Sequence, residues 1–135
     1  MFPLQNVKFA AAKHPASENG TAADGVTIDT LGYHSLTVIV QAGAVGANMD
    51  SLKMQNSDDG STWGDVTNGA FTAPTTSAAN TVAAGFFTVP AKRYYRVQSD
   101  AGASATLLSA LAILQRANQP PETATERGLG QQIIL

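Results

Sequence analysis

The residues able to carry chemistry in this chain are few and scattered. The densest acidic group is the adjacent pair Asp58 and Asp59, with Asp65 nearby and Gly60 between. A calcium-binding loop of the EF-hand type needs oxygen ligands at alternate positions and a distal bidentate Glu, and no such Glu follows here. A turn explains these residues better, because Asp side chains cap backbone N–H groups and Gly accepts a positive φ. His14 and His34 are the only imidazoles; isolated from each other and from a third ligand, they read as surface residues. No Ser lies in a Gly-x-Ser-x-Gly elbow, and no Gly-Lys dipeptide exists to build a phosphate-binding loop. The absence of cysteine excludes a disulfide framework, a thiolate zinc site and a Cys nucleophile. Trp63, Tyr33, Tyr94 and Tyr95 could line a sugar-binding platform, but aromatics at strand positions more commonly pack in cores or pair across strands. The expectation is a protein that is not an enzyme, with no catalytic residues, no cofactor and no metal site.

The elements that carry these residues are strands. Residues 52–66 alternate Leu52 and Met54 with Lys53 and Gln55, break at Ser57-Asp58-Asp59-Gly60, and resume at Trp63, which is a β-hairpin pattern. In residues 33–42, Leu36, Val38 and Val40 share one face while Thr37 and Ile39 share the other, so this is a central strand, buried on one side and partly covered on the other. Residues 82–89 place Phe86 and Phe87 on opposite faces, and residues 93–99 place Tyr95 and Val97 inward with Tyr94, Arg96 and Gln98 outward. Residues 105–115 are the most hydrophobic segment. Leu107, Leu108, Leu111 and Leu114 also fit helical spacing, but the short Asp100-Ala101-Gly102 connection favours a strand. With strands also at 26–30, 50–57 and 61–66, the fold class is all-β: a single antiparallel β-sandwich, jelly-roll-like, with extended N- and C-terminal arms. The domain spans 26–116, between an N-terminal arm over 1–25, with a strand near 6–11, and a C-terminal arm over 117–135. The expected core is Leu36, Val38, Val40, Leu52, Met54, Tyr95, Val97, Leu111 and Ile113.

Composition bears on partners. Charged residues make up 13% of the chain, about half the share in an average soluble domain, and such a surface is short of the solvated side chains that keep monomers apart. A formal net charge of −2, with no basic run longer than Lys92-Arg93, argues against direct nucleic acid binding, which needs clustered phosphate contacts. The N-terminal residues lack the basic and apolar regions of a signal peptide, and no window approaches the ~20 apolar residues of a membrane span, so no membrane partner is expected. The C-terminal arm is polar and proline-bearing, yet it ends in Ile133, Ile134 and Leu135. Exposed aliphatics of this size forgo about 1.5–3 kcal/mol each, so they should dock, either on the chain's own domain or on a neighbour. The interface candidates are Val7 and Phe9 in the N-terminal arm, Tyr94 and Arg96, whose residue types dominate interface hot spots, and Ile133, Ile134 and Leu135.

Three segments together resemble the decoration or cement proteins of tailed-bacteriophage capsids. They are Asp29-Thr30-Leu31-Gly32-Tyr33-His34-Ser35-Leu36-Thr37-Val38, Gln55-Asn56-Ser57-Asp58-Asp59-Gly60-Ser61-Thr62-Trp63 and Lys92-Arg93-Tyr94-Tyr95-Arg96-Val97. The resemblance covers roughly residues 26–115 and leaves the arms out. It implies a structural virion protein, made in the host cytoplasm, that binds the outer surface of the capsid through the major capsid protein and stabilises the lattice. A homotrimer, matching the three-fold positions of an icosahedral shell, is what the class implies. The competing readings are a glycan- or receptor-binding β-sandwich of a virion fibre or cell surface, and a head-completion or tail-tube protein.

Overall fold

The computed structural model describes residues 6–88 and 90–133. Among the described residues are nine strands: β1 (Lys8–Gly20), β2 (Ala23–Asp24), β3 (Ile28–Asp29), β4 (Tyr33–Val45), β5 (Ser51–Ser57), β6 (Gly64–Ala70), β7 (Val82–Thr88), β8 (Tyr94–Asp100) and β9 (Gly102–Ala117). They form two antiparallel sheets, β1-β9-β4-β7 (sheet A) and β2-β8-β5-β6 (sheet B), with β3 also pairing to β8. The order is that of a long hairpin rolled up. β5 and β6 form its tip, and β4 with β7, β2 and β3 with β8, and β1 with β9 follow as nested pairs. Rolling this ribbon brings β4 beside β9 and β5 beside β8, which closes the two sheets over one core in a jelly-roll arrangement.

The core lies where the inward faces meet. Leu36, Val38, Val40, Leu108, Ala112 and Leu114 from sheet A pack against Ile28, Leu52, Met54, Tyr95 and Val97 from sheet B. Seven of the nine residues expected inside are buried there, while the phase of β9 is corrected. Leu111 is 41% exposed and Ile113 is half-buried; Leu108, Ala110, Ala112 and Leu114 point inward instead. The register explains the inversion. Leu36, Val38 and Val40 of β4 stand opposite Leu114, Ala112 and Ala110, so two small side chains face inward beside two valines, leaving volume for Met54 and Tyr95 from the other sheet. A one-residue change of phase moves every side chain to the other face, and Leu107, Leu111 and Ile113 are the aliphatics of β9 placed outside.

The N-terminal arm is also corrected over much of its length. Residues 8–20 form a full strand of sheet A against β9, with register shifts between Ala11 and Lys13 and between Lys13 and Ala16. Pro15 and the polar Ser17-Glu18-Asn19 read locally as loop, but an edge strand needs bonds on one side only, and bulges accommodate a residue without an N–H. A buried ion pair, Lys13 Nζ to Glu18 Oε1 at 2.9 Å, spans the bulge, and Ser99 Oγ donates to Glu18 Oε2 at 2.7 Å. At 26–30 only Ile28–Asp29 is strand. β6 starts at Gly64 rather than at residue 61, because Ser61 and Thr62 are used in the preceding turn. There Asp59 Oδ1 accepts from the N–H groups of Ser61 and Thr62 at 2.8 and 2.7 Å, Ser57 Oγ accepts from Gly60 N at 2.9 Å, and Gly60 takes a φ of 75°. The bonds from Thr62 N and Ser61 N, with one from the Ser57 hydroxyl, hold the Asp59 carboxyl far below the usual carboxylate range.

The C-terminal arm, although polar, is ordered by its own sequence around Thr123-Ala124-Thr125-Glu126. Thr123 Oγ1 accepts from Glu126 N at 3.2 Å, and the Glu126 carboxylate accepts from Thr123 N and Glu122 N at 3.0 and 2.9 Å, which is a capping box. Leu129 N donates to Ala124 O and Gly128 N to Thr125 O, both at 2.9 Å, and Gly128 takes a φ of 71°; this is a Schellman ending. The single turn docks on the outer edge of β1, where Phe9 N donates to Arg127 O at 2.7 Å. A Cβ on Gly128 would collide with the Phe9 carbonyl oxygen.

Candidate interaction faces

The outward faces of the two sheets differ in chemistry. On sheet B the strand register sets Arg96 beside Gln55 and Gln55 beside Asp65. Arg96 donates to Gln55 Oε1 through Nε and an Nη at 2.9 and 2.7 Å, and its other Nη pairs with Asp24 at 2.7 Å. Gln55 Nε2 and Lys53 Nζ both donate to Asp65, at 2.9 and 2.8 Å. The lysine bond leads the causes that hold the Asp65 carboxyl below its ordinary value. The guanidinium of Arg96 lies 4.3 Å above the Trp63 ring, a cation–π contact. At the end of the same face, Arg93 forms a two-pronged pair with Asp29, at 2.9 and 2.7 Å, that depresses the Asp29 carboxyl, and covers the Tyr94 ring at 4.8 Å. These polar groups are satisfied within the chain.

The outward face of sheet A carries no charged residue in its cross-strand rows; Lys13, paired with Glu18, and His14 stand at its rim. Three cross-strand rows define it: Phe9, Ile113, Thr37 and Phe86; then Ala11, Leu111, Ile39 and Ala84; then Ser109, Gln41 and Val82. Phe86 and Val82 are 76% and 66% exposed. Beside the His14-Pro15 bulge lie two shallow hollows of about 450 and 360 Å³ that share Pro15, Gln41 and Ser109; Leu107 and Gly43 line one, Leu111 and Ile39 the other. Such a surface can exclude water from a second apolar protein face.

The interface candidates from the sequence are not brought to one place. Val7, just before β1, is buried in the chain's own domain. Phe9 is half-buried on the outer side of sheet A. Tyr94 and Arg96 are half-buried on sheet B, with the arginine's donors occupied by Gln55 and Asp24. Ile133 is 75% exposed, whereas Ile134 and Leu135 lie outside the described residues. The aromatics do not form one platform, because Tyr95 is in the core and Arg96 covers a face of Trp63. The residues that sequence reasoning missed are Leu111, Ile39, Phe86 and Val82. Their signal was present as large apolar side chains on both faces of β4, β7 and β9, when one face alone can line the core.

No family model and no curated protein matches the sequence. Among solved structures, the fold is similar to that in the crystal structure of PBSX exported protein XepA, with a TM-score of 0.59 and 16% identity over 85% of this chain. This chain spans 39% of the length of that one. At this identity the likeness is one of fold.

Proposed function

We propose that this chain is a structural protein of a phage particle, one that adds to the outer surface of the capsid and stabilises its lattice. The observation that carries the reading is the convergence of the three segments resembling capsid decoration proteins. Asp29 of the first pairs with Arg93 of the third. Gln55 and Trp63 of the second bind and stack on Arg96 of the third, and Ser57 stands opposite Tyr94. The shared pattern is thus one corner of the sandwich that holds β3 and the β5–β6 hairpin against β8. The fold shared with PBSX exported protein XepA is in keeping with this reading.

The physical logic of attachment favours a small rigid sandwich. A lattice repeats its contacts, and an oligomer engaging several of them gains through effective concentration without a tight single site. The partners are the major capsid protein and further copies of this chain, as a homotrimer in the arrangement the class implies, and the chain acts without catalysis. The test is its copy number on purified particles, followed by the heat and osmotic resistance of particles lacking it. Copies on the scale of the capsid lattice and weakened particles without them are expected. A copy number matching a single ring would assign the chain to a head-completion or tail-tube role. Absence from particles together with saccharide-dependent quenching of Trp63 would replace this reading with the glycan-binding one.

A further inference from the structure

The two sheets have four edges, and three of them are guarded. β1 is bulged around His14 and Pro15 and is capped at Phe9 by the C-terminal turn. β2 is two residues long and ends in Asp24. β6 breaks register opposite residues 53–55, carries Asp65, and bends through Asn68 at a φ of 58°. Bulges, prolines, short strands and charges are the devices by which natural sheets avoid pairing with other chains. β7 has none of them. Its seven residues pair with β4 in unbroken register from Ser35 opposite Thr88 to Gln41 opposite Val82, with neither charge nor proline among them.

The unguarded edge is continuous with the outer face of sheet A. Phe86, Val82, Leu107 and Leu111 are its exposed large apolar residues; together they present on the order of 500 Å² of apolar surface, at the upper end of what monomers leave open and most of one side of a standard interface. We propose that β7 and the outer face of sheet A form the contact between copies of this chain. A second copy fits because the rows of the face carry no charge and the lysine at its rim, Lys13, is already paired with Glu18, so apposing it to itself buries no unpaired ion. Where the contact is edge to edge instead of face to face, β7 of the second copy supplies the donors and acceptors that β7 leaves unpaired, in antiparallel register about a two-fold axis.

The inference rests on the assembly reading only in taking this face as a protein contact, and it is tested without capsids. Sedimentation of the full chain across the micromolar range is expected to give a multiple of the single-chain mass that falls on dilution. Ala84→Lys and Phe86→Lys place a charge on exposed, outward positions; both are expected to return the mass to that of one chain with an unchanged circular dichroism spectrum. Thr67→Lys, exposed on β6, should leave the mass unaltered. If either lysine variant failed to fold, Phe86→Ser would carry the same comparison. An intact chain that sediments as a monomer throughout that range, or folded variants that keep the oligomer, would overturn the inference. Loss of capsid binding by a chain that still self-associates would overturn the capsid reading instead.

Discussion

Truncating Leu114 and Leu111 to Ala, one at a time, tests the phase of β9. The two leucines lie three residues apart on the same strand, yet Leu114 is 1% exposed in the core and Leu111 is 41% exposed on the outer face. Removing the extra methylene and methyl groups of a fully buried leucine loses about 2.4 kcal/mol of transfer free energy. The cavity left behind raises the total to about 2.7–5 kcal/mol, and β4 opposite, held between β9 and β7, has little freedom to collapse into it. At Leu111 roughly half of that transfer term applies and no closed cavity forms, so the loss should be about 1 kcal/mol. Urea unfolding followed by far-UV circular dichroism measures both. It should be run on the Phe86→Lys background so that self-association does not bury Leu111. With equal m-values, a Leu111→Ala penalty equal to or above that of Leu114→Ala would refute the register and restore the opposite phase.

Lys13→Ala should destabilise the fold by about 3–5 kcal/mol, because it leaves Glu18 inside without its partner; in thermal melts the double replacement Lys13→Met with Glu18→Leu should recover most of the loss. The folded-state carboxyls of Asp29, Asp59 and Asp65 are depressed, so their stabilisation is complete above the ordinary Asp value and is lost as pH falls below it. Melting temperature should therefore be level from neutral pH down to about 5 and drop below about 4, with Asp59→Asn flattening that acid limb. Arg96→Ala should uncover one face of Trp63 and raise the acrylamide quenching constant of this sole tryptophan, whereas unchanged quenching would mean that the stacking is absent in solution. Gly128→Val cannot keep its positive φ beside the Phe9 carbonyl, so tryptic cleavage after Arg127 should accelerate at least about tenfold while the sandwich stays folded.

Local signals suffice for the strands whose patterns are self-contained. Leu36, Val38 and Val40 alternate cleanly, as do Leu52 and Met54 and then Tyr95 and Val97, and all are buried. The turn at Asp58-Asp59-Gly60 is equally legible because its bonds lie within a few residues. Legibility fails where the deciding contact is distant in sequence. Residues 8–20 become a strand because β9 pairs with them about a hundred residues later. The phase of β9 is set by β4 and by the volume needed for sheet B, not by the sizes of its own side chains. The outer face is harder to read for the same reason: Ile39, Val82, Phe86 and Leu107 are spare apolar residues in the sequence, but only the long-range pairing of β4 with β7 and β9 sets them beside Leu111 on one surface.

The placement of the C-terminal turn bears on how copies can meet. By capping β1 at Phe9, it leaves β7 as the long unguarded edge of sheet A. A sheet with two open edges adds strands without limit, whereas one with a single open edge is consumed in one contact. Pairing of β7 with β7 therefore closes at two copies. A three-fold assembly, as the capsid class implies, cannot use that pairing in every contact and must instead set the side chains of β7 on the next copy's outer face, near the hollows lined by Leu107 and Leu111. The two arrangements leave different marks. Edge pairing protects the outward-pointing amides of β7 from exchange, while face packing leaves them exchanging and makes Leu107→Ser as disruptive as Phe86→Ser. An oligomer whose β7 amides exchange freely and whose mass is changed by neither Leu107→Ser nor Phe86→Ser would contradict both arrangements and remove β7 and the outer face from the interface.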